Sequence, residues 1–483
     1  MDVQRIAIVG GGITGLTAAM RLLKQASRAR HPVEVTIYEA SNRVGGKVLT
    51  YRDGGLTLEA GPDSMLARKP AGVGLIRELG LESELIETNP EAKNTYIVRD
   101  GRLVPMPHGT FMGIPADIST FMTNEALSAS GKFRALFDLL IPPSPLSADM
   151  SLGTFLRSRL GDEWVTYLGE PLLAGIYAGR IDDLSLKATW GPLRDLALKY
   201  RSLVVGSRAM LNQQAVKKTG RSAFVTVRGG LETVIERLAD ELADKATIRL
   251  SHEVTEIERS DVGYHLTVEN GDETIVTKAD AMIICTPPAA MKSLLKPYLP
   301  ASTYDFQVPY VSTATVIVGY PSDHVNIDLR HASGFLVPRA ENRAITASTW
   351  VSSKWPHTTN EQFIVLRCYV GRAGQQTYLE LDDGEMVRMV AREVNDLVGI
   401  SATPVFHKVT RWENAMPNYL VGHLERLDQL EQAIHSTLPG VEIAGAGYHG
   451  LGLPDCIAQA NDAAERILSY LTGSKSDNHS SAS

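Results

Sequence analysis

Ile6-Ala7-Ile8-Val9 is an unbroken apolar run that ends in glycines, and beyond it the apolar residues Leu16, Ala19, Met20 and Leu23 fall at helical spacing. This pattern predicts a buried strand, a glycine turn and a helix. A second strand is predicted from Val33 to Tyr38, ending at Glu39. Farther along, Phe224 to Val227 predicts a strand, and Leu231, Ile235, Leu238 and Leu242 line one face of a helix. His252 to Ile257 and Tyr264 to Val268 predict a hairpin; Ala281 to Cys285 predicts a strand, stopped by Pro287-Pro288. Near the end of the chain, Val441-Glu442-Ile443 predicts a strand and Gly445 to Gly452 a loop. From Asp455 onward a helix carries Ile457, Ala460, Ala464, Ile467 and Leu471.

These strand and helix pieces form three separated stretches of one alternating strand-and-helix pattern, so other domains are expected to be inserted into it. Ile114 to about Lys217 is mainly helical in pattern, and Phe133, Leu136, Phe137 and Leu140 form an apolar stripe that stops at Pro142-Pro143. The stripe is read as core. A weak peripheral contact with a membrane surface is the alternative, although the polar side lacks a dense Lys/Arg face. From Lys292 to about Lys408 the chain alternates as strands, Thr315 to Tyr320 and Phe363 to Val370 among them, which suits a sheet covering a ligand cavity.

A length of 483 residues exceeds one ordinary core and leads to an expectation of roughly two to four domains. Hydrophobic residues at 44% and charged residues at 21% are ordinary for a globular enzyme. No apolar run reaches the ~18 residues of a membrane span, and the first strand begins without a signal peptide's charged and apolar regions, so a cytoplasmic location is expected. Cys285, Cys368 and Cys456 have no metal-ligand spacing and no disulfide framework; reduced core thiols and no metal are expected. The net charge of -7 argues against nucleic acid as the main partner.

Chemistry enters with Gly10, Gly11, Gly12, Ile13, Thr14 and Gly15, a G-x-G-x-x-G run between strand and helix. Its glycines permit a tight turn, backbone approach to a pyrophosphate and close helix packing, and the helix N-terminus faces the anion. Glu39 is placed to accept hydrogen bonds from a ribose diol, which would repel a 2′-phosphate. Downstream, Arg43, Gly45 and Gly46 combine a guanidinium with close backbone approach, as a long dinucleotide such as FAD requires; a solvated surface charge is the competing reading for Arg43. Gly61-Pro62-Asp63-Ser64 is a stiff turn against which a flat isoalloxazine would rest. The helix after Gly445 to Pro454 would direct its unpaired N–H groups at the reduced ring.

Together with Gly113 to Asp117, Phe133 to Pro143 and Gly169 to Trp190, these motifs make nearly the whole chain resemble the flavin-containing oxidase superfamily of amine oxidases and protoporphyrinogen oxidases, and within it the bacterial coproporphyrin-forming coproporphyrinogen III oxidase branch. The resemblance implies an α/β fold: a discontinuous Rossmann-like FAD-binding domain (1–90, 218–291, 409–472), an inserted α+β substrate domain (91–113, 292–408) and a mostly helical third domain (114–217), before a disordered tail (473–483). It implies noncovalent FAD held also by Ala40, Lys47, Gly61 to Ser64, Val254, Trp412 and Leu451, Gly452 and Leu453. Relatives carry an aromatic or another residue where Lys47 stands. The implied activity is the six-electron, dioxygen-dependent oxidation of coproporphyrinogen III to coproporphyrin III with release of hydrogen peroxide, in haem biosynthesis, where a partner enzyme of that pathway would act alongside.

Lys69 and Arg180 are candidate partners for substrate carboxylates, competing with a solvated surface role; Ile176 lies in the same run as Arg180 and is assigned to the substrate with it. No general base is identified. His449, near the expected flavin loop, reads equally as a polar loop residue. Protoporphyrinogen IX oxidase, with a less carboxylated substrate, is the alternative activity, followed by a flavin amine oxidase or a noncatalytic FAD-binding scaffold.

Overall fold

The computed structural model describes residues 3–142, 148–216, 222–303 and 305–473, so the expected tail from 474 onward lies outside the described residues. The fold is mixed α/β. A five-stranded parallel sheet runs in the order Thr247–Leu250, Val33–Glu39, Gln4–Val9, Ala281–Ile284, Val441–Ile443. Thus the first strand pairs on one side with the second and on the other with a strand 275 positions on, Ile6 opposite Ala281. The strand at 247–250 is absent from the sequence-based expectation. It is short, at the sheet edge and mostly exposed, so hydrophobic alternation does not mark it.

On one face of this sheet the helix Ile13–Ala29 packs against the C-terminal helix Leu453–Thr472, burying Leu16, Ala19, Ile457, Ala460 and Ala464 together. Small residues allow this close approach. The opposite face buries Ala7, Val9, Met282 and Ile284 against a three-stranded antiparallel sheet, Glu253–Arg259, Tyr264–Asn270 and Glu273–Ala279. The predicted hairpin is therefore two strands of three.

A seven-stranded sheet forms the second large layer, with Tyr310–Pro321 between Phe406–Pro417 and Phe363–Val370. The helix Asp383–Val398 covers it through Met386, Val390 and Val394, and begins with a capping box between Asp382 and Glu385. Helices dominate 118–216, as the pattern predicts.

The apolar stripe, however, faces outward. Phe133, Phe137 and Leu140 are 60%, 57% and 75% exposed, while Ala135 and Gly131 occupy the buried side of that helix. Leu136 alone of the stripe packs partly against the helical core. Underneath, Asp138 and Arg159 form a buried ion pair, with Asp138 also accepting from Ser202 and the Val204 N–H. This buried ion pair ties the segment down beside the apolar contacts of Ala135 and Leu136. Among the described residues no helix is long and apolar enough to cross a membrane.

Candidate functional site

The glycine turn has the geometry its residue types demand. Gly10 is left-handed at φ +109°, and a Cβ on Gly15 would come within 1.9 Å of the Gly10 carbonyl oxygen, so helix and strand meet at a distance no side chain permits. At Gly12, by contrast, a Cβ would meet no protein atom within 4 Å. Gly12 is also the N-cap of a helix that has no side-chain cap, leaving N–H donors directed into that space. Glu39 reaches back across the turn, accepting from the Gly11 N–H at 2.7 Å and from the Ser41 N–H and hydroxyl. Ala40 follows it, exposed.

The 43–48 loop closes over this turn. The Gly45 N–H donates to the Gly11 carbonyl at 2.9 Å, and Gly46 approaches the Gly12 Cα. The Arg43 guanidinium donates to the carbonyls of Val44, Gly46 and Val48, shaping its own loop, with Glu232 3.9 Å away. Lys47 donates to the Ala415 carbonyl and lies 5.2 Å from the Tyr310 ring centroid. Burial pushes its ammonium down to about 8.

The turn at 61–64 is held from behind by the seven-stranded sheet. The Ala60 carbonyl accepts from Trp412 Nε1 at 2.9 Å and from the Thr315 hydroxyl at 2.8 Å, and Arg367 donates to Gly61. Trp412 therefore acts through this carbonyl. A Cβ on Gly61 would strike the Lys47 carbonyl at 1.9 Å. Pro62 stiffens the turn, and Ser64 donates to Asp63 at 2.7 Å. Asp63 itself points to Lys354 at 2.9 Å and Trp355 at 3.3 Å; burial opposes its ionisation, but Lys354 and Arg367 hold the carboxyl well below the usual range. Val254 is buried in the core of the three-stranded sheet, beside the residues packed on Tyr38.

Leu451, Gly452 and Leu453 lead into the C-terminal helix, which also starts without a side-chain cap and has Pro454 in its first turn. Its loop is supported by aromatic stacking: Tyr419 donates to the Ala446 carbonyl and stacks on His423 at 4.2 Å, and His423 Nε2 is 2.8 Å from the Tyr448 carbonyl. His449 turns away to Glu431 at 2.8 Å and is a polar loop residue. Lys69 pairs with Asp455 in the first turn of this helix. Arg180 is exposed, 3.9 Å from Asp183, and Ile176 is 39% exposed on the helix Glu170–Tyr177. Residue reasoning missed Lys354, Arg367, Thr315 and Asp455, each hundreds of positions from the turn or lysine it holds; no local motif marks them. Among the described residues, no cluster of His, Cys, Asp or Glu has the makings of a metal site.

The helix start at Gly12, beside space that no described protein atom fills, has the local geometry of a phosphate-binding turn. The chain belongs to the family of flavin containing amine oxidoreductases, which matches residues 13–468. Within that class it is 39% identical over 474 residues to the coproporphyrinogen III oxidase of Bacillus subtilis (strain 168), covering 97% of this chain and 98% of the relative. The coproporphyrinogen III oxidase of Staphylococcus aureus (strain NCTC 8325 / PS 47) is 35% identical over 97% of this chain and 100% of its own. A crystal structure of a protein from Exiguobacterium sp. 255-15 superposes with a TM-score of 0.85 at 35% identity, covering 98% of this chain and 100% of that one. A flavin is the cofactor class of the family, and the space beside Gly12, bounded by N–H donors and Glu39, fits its phosphate-bearing arm.

Proposed function

We propose that this protein is an FAD-dependent oxidase that converts coproporphyrinogen III to coproporphyrin III in a six-electron, dioxygen-dependent reaction that releases hydrogen peroxide, as a step of haem biosynthesis. The carrying observation is the 39% identity to a coproporphyrinogen III oxidase over 97% of the chain, which is far longer than a nucleotide-binding module alone. A discontinuous FAD-binding domain built from 1–90, 218–291 and 409–472 is supported by the parallel sheet, whose five strands come from those three stretches.

On this reading the Gly10 to Gly15 turn receives the pyrophosphate, and Glu39 exchanges its Gly11 and Ser41 partners in part for ribose hydroxyls. Ala40, Gly46 and Lys47 flank the dinucleotide, Val254 packs beside its nucleoside end, and Gly61 to Ser64 carries the ring on backbone. The N–H groups around Leu451, Gly452 and Leu453 stabilise negative charge there. Bound FAD supplies the two-electron chemistry, with dioxygen as terminal oxidant. The porphyrinogen is non-aromatic and its oxidation runs downhill to an aromatic ring, so the chain's own contribution is orientation. Lys69 and Arg180 would bind propionates and Ile176 the macrocycle edge.

Anaerobic mixing with each porphyrinogen tests this. Flavin absorbance is expected to bleach with coproporphyrinogen III in detergent-free buffer at least as fast as with protoporphyrinogen IX, and admitting air should then yield peroxide. Rejection of coproporphyrinogen with rapid bleaching by protoporphyrinogen would make the latter the substrate. No bleaching by either would leave a noncatalytic FAD-binding protein.

A further inference from the structure

Behind the turn at 61–64 lies an internal cavity of about 20 Å³, bordered by Glu59, Asp63, Thr226, Trp355, Thr358 and Arg367. That is room for one water molecule. Arg367, only 4% exposed, uses Nη2 on the Gly61 carbonyl and, at 3.5 Å, the Ala60 carbonyl; its Nε and Nη1 are buried and find no hydrogen-bond partner among the described residues. Leaving two guanidinium donors unmet in the interior is costly, and a water with acceptors on its other side removes that cost.

Glu59 supplies such an acceptor. It is 9% exposed and already accepts from the Leu231 N–H at 2.6 Å and the Thr50 hydroxyl at 2.8 Å. The charged groups around it are Arg367 from the strand Phe363–Val370, Asp63 from the turn with its partner Lys354, and Glu232 from the helix Glu232–Leu242, which accepts from the Thr50 N–H and lies 3.9 Å from Arg43. Burial pushes the Glu59 carboxyl up to about 7, against the pull of those hydrogen bonds and of Arg367.

We propose that Arg367 is a positioning residue for the flavin: it clamps the Ala60 and Gly61 carbonyls and, through one water in this cavity, connects them to Glu59, so that a proton gained or lost at Glu59 is felt at the turn. This rests on the reading that the turn carries the flavin ring. Arg367 is held on one side by the backbone it fixes and on the other by a carboxylate that changes charge near neutrality. When Glu59 is ionised the guanidinium is drawn toward the cavity; when it is neutral, the pull is relaxed.

The test uses purified holoprotein with Arg367→Met, Arg367→Lys and Glu59→Gln, following flavin release, the visible absorption band and the midpoint potential from pH 6 to 9. Wild type is expected to show an inflection in potential and band position near pH 7 that Glu59→Gln abolishes. Arg367→Met should release flavin about tenfold faster with a displaced band, and Arg367→Lys should recover part of both. Wild-type band, release rate and potential in Arg367→Met at every pH would overturn the proposal. If that variant does not fold, an inflection unchanged in Glu59→Gln together with a wild-type release rate in Arg367→Lys overturns it instead. Wild type that holds no flavin would defeat the functional reading, whereas flavin-loaded variants indistinguishable from wild type would defeat this inference alone.

Discussion

Lys69 Nζ lies 2.5 and 2.6 Å from the two carboxylate oxygens of Asp455, joining the segment after the 61–64 turn to the first turn of the C-terminal helix across 386 positions. A propionate reaching Lys69 competes with this partner, so the lysine's value to substrate binding is reduced by the pair it already makes. Lys69→Ala is expected to raise KM for coproporphyrinogen III roughly fivefold, about 1 kcal/mol after allowing for solvent at the pair. Flavin content should be unchanged. Steady-state kinetics with an absorbance ratio on the same sample checks both, and an unchanged KM removes Lys69 from the substrate site.

Gly12 and Gly15 separate ligand space from packing space. Gly12→Val places a branched side chain whose Cβ meets no described protein atom within 4 Å, so the variant should purify colourless and melt near the Tm of flavin-stripped wild type. Gly15→Ala drives a methyl into the Gly10 carbonyl and should cost about 3 kcal/mol or more of stability. Absorbance at the flavin band and thermal melts distinguish the two, and a yellow Gly12→Val protein would mean that the dinucleotide is bound elsewhere.

His423 is buried neutral, its pKa lowered by burial to about 4. Between pH 6.5 and 4 the unfolded chain binds this proton and the folded one does not, so stability is full above about 6.5 and declines as pH falls toward 4, by at most about 3 kcal/mol. His423→Phe keeps an aromatic ring beside Tyr419 and should show a flatter decline of Tm across that window, even if its Tm at pH 7 is lower through the lost bond to Tyr448. Parallel pH profiles for both proteins would contradict the neutral assignment.

Asp138 and Arg159 are each buried and each dependent on the other. Arg159→Met should destabilise the chain by about 3–5 kcal/mol because it strands the Asp138 carboxylate, whereas adding Asp138→Asn should recover part of the loss. Denaturant titration of the two single variants and the double variant measures the coupling, and strict additivity would refute it.

Phe133 and Phe137 give the opposite expectation. Being mostly exposed, each changed to Ser should shift stability by no more than about 0.5 kcal/mol, against the ~3–5 kcal/mol of a buried phenylalanine. The same titrations decide it.

How much of this was legible depended on distance along the chain. Strand, glycine turn, helix and Glu39 fall within 39 residues, and their hydrogen bonds are local, so periodicity and residue type were enough. Asp63 to Lys354, Arg367 to Gly61 and Lys69 to Asp455 span 291, 306 and 386 positions, and nothing in either member's neighbourhood points to the other. Arg43 lies in the 43–48 loop against the glycine turn and its donors go to its own backbone; pattern locates a side chain without saying which acceptor it finds. The Phe133 stripe had helical spacing, but spacing identifies two faces without saying which one meets the core; there, the small Gly131 and Ala135 do.

The parallel sheet also dictates a timetable. Gln4–Val9 and its neighbour Val33–Glu39 are made well before the neighbour on the other side, Ala281–Ile284, and the edge strand Val441–Ile443. The helix Leu453–Thr472, which packs against the helix Ile13–Ala29, comes later than both. A nascent chain must therefore carry one unpaired edge of the strand Gln4–Val9 until residue 281 is made, in the slow, non-local regime where partly built sheets aggregate. A chain truncated before residue 441 would lack both the strand Val441–Ile443 and the helix Leu453–Thr472 that packs against the helix Ile13–Ala29.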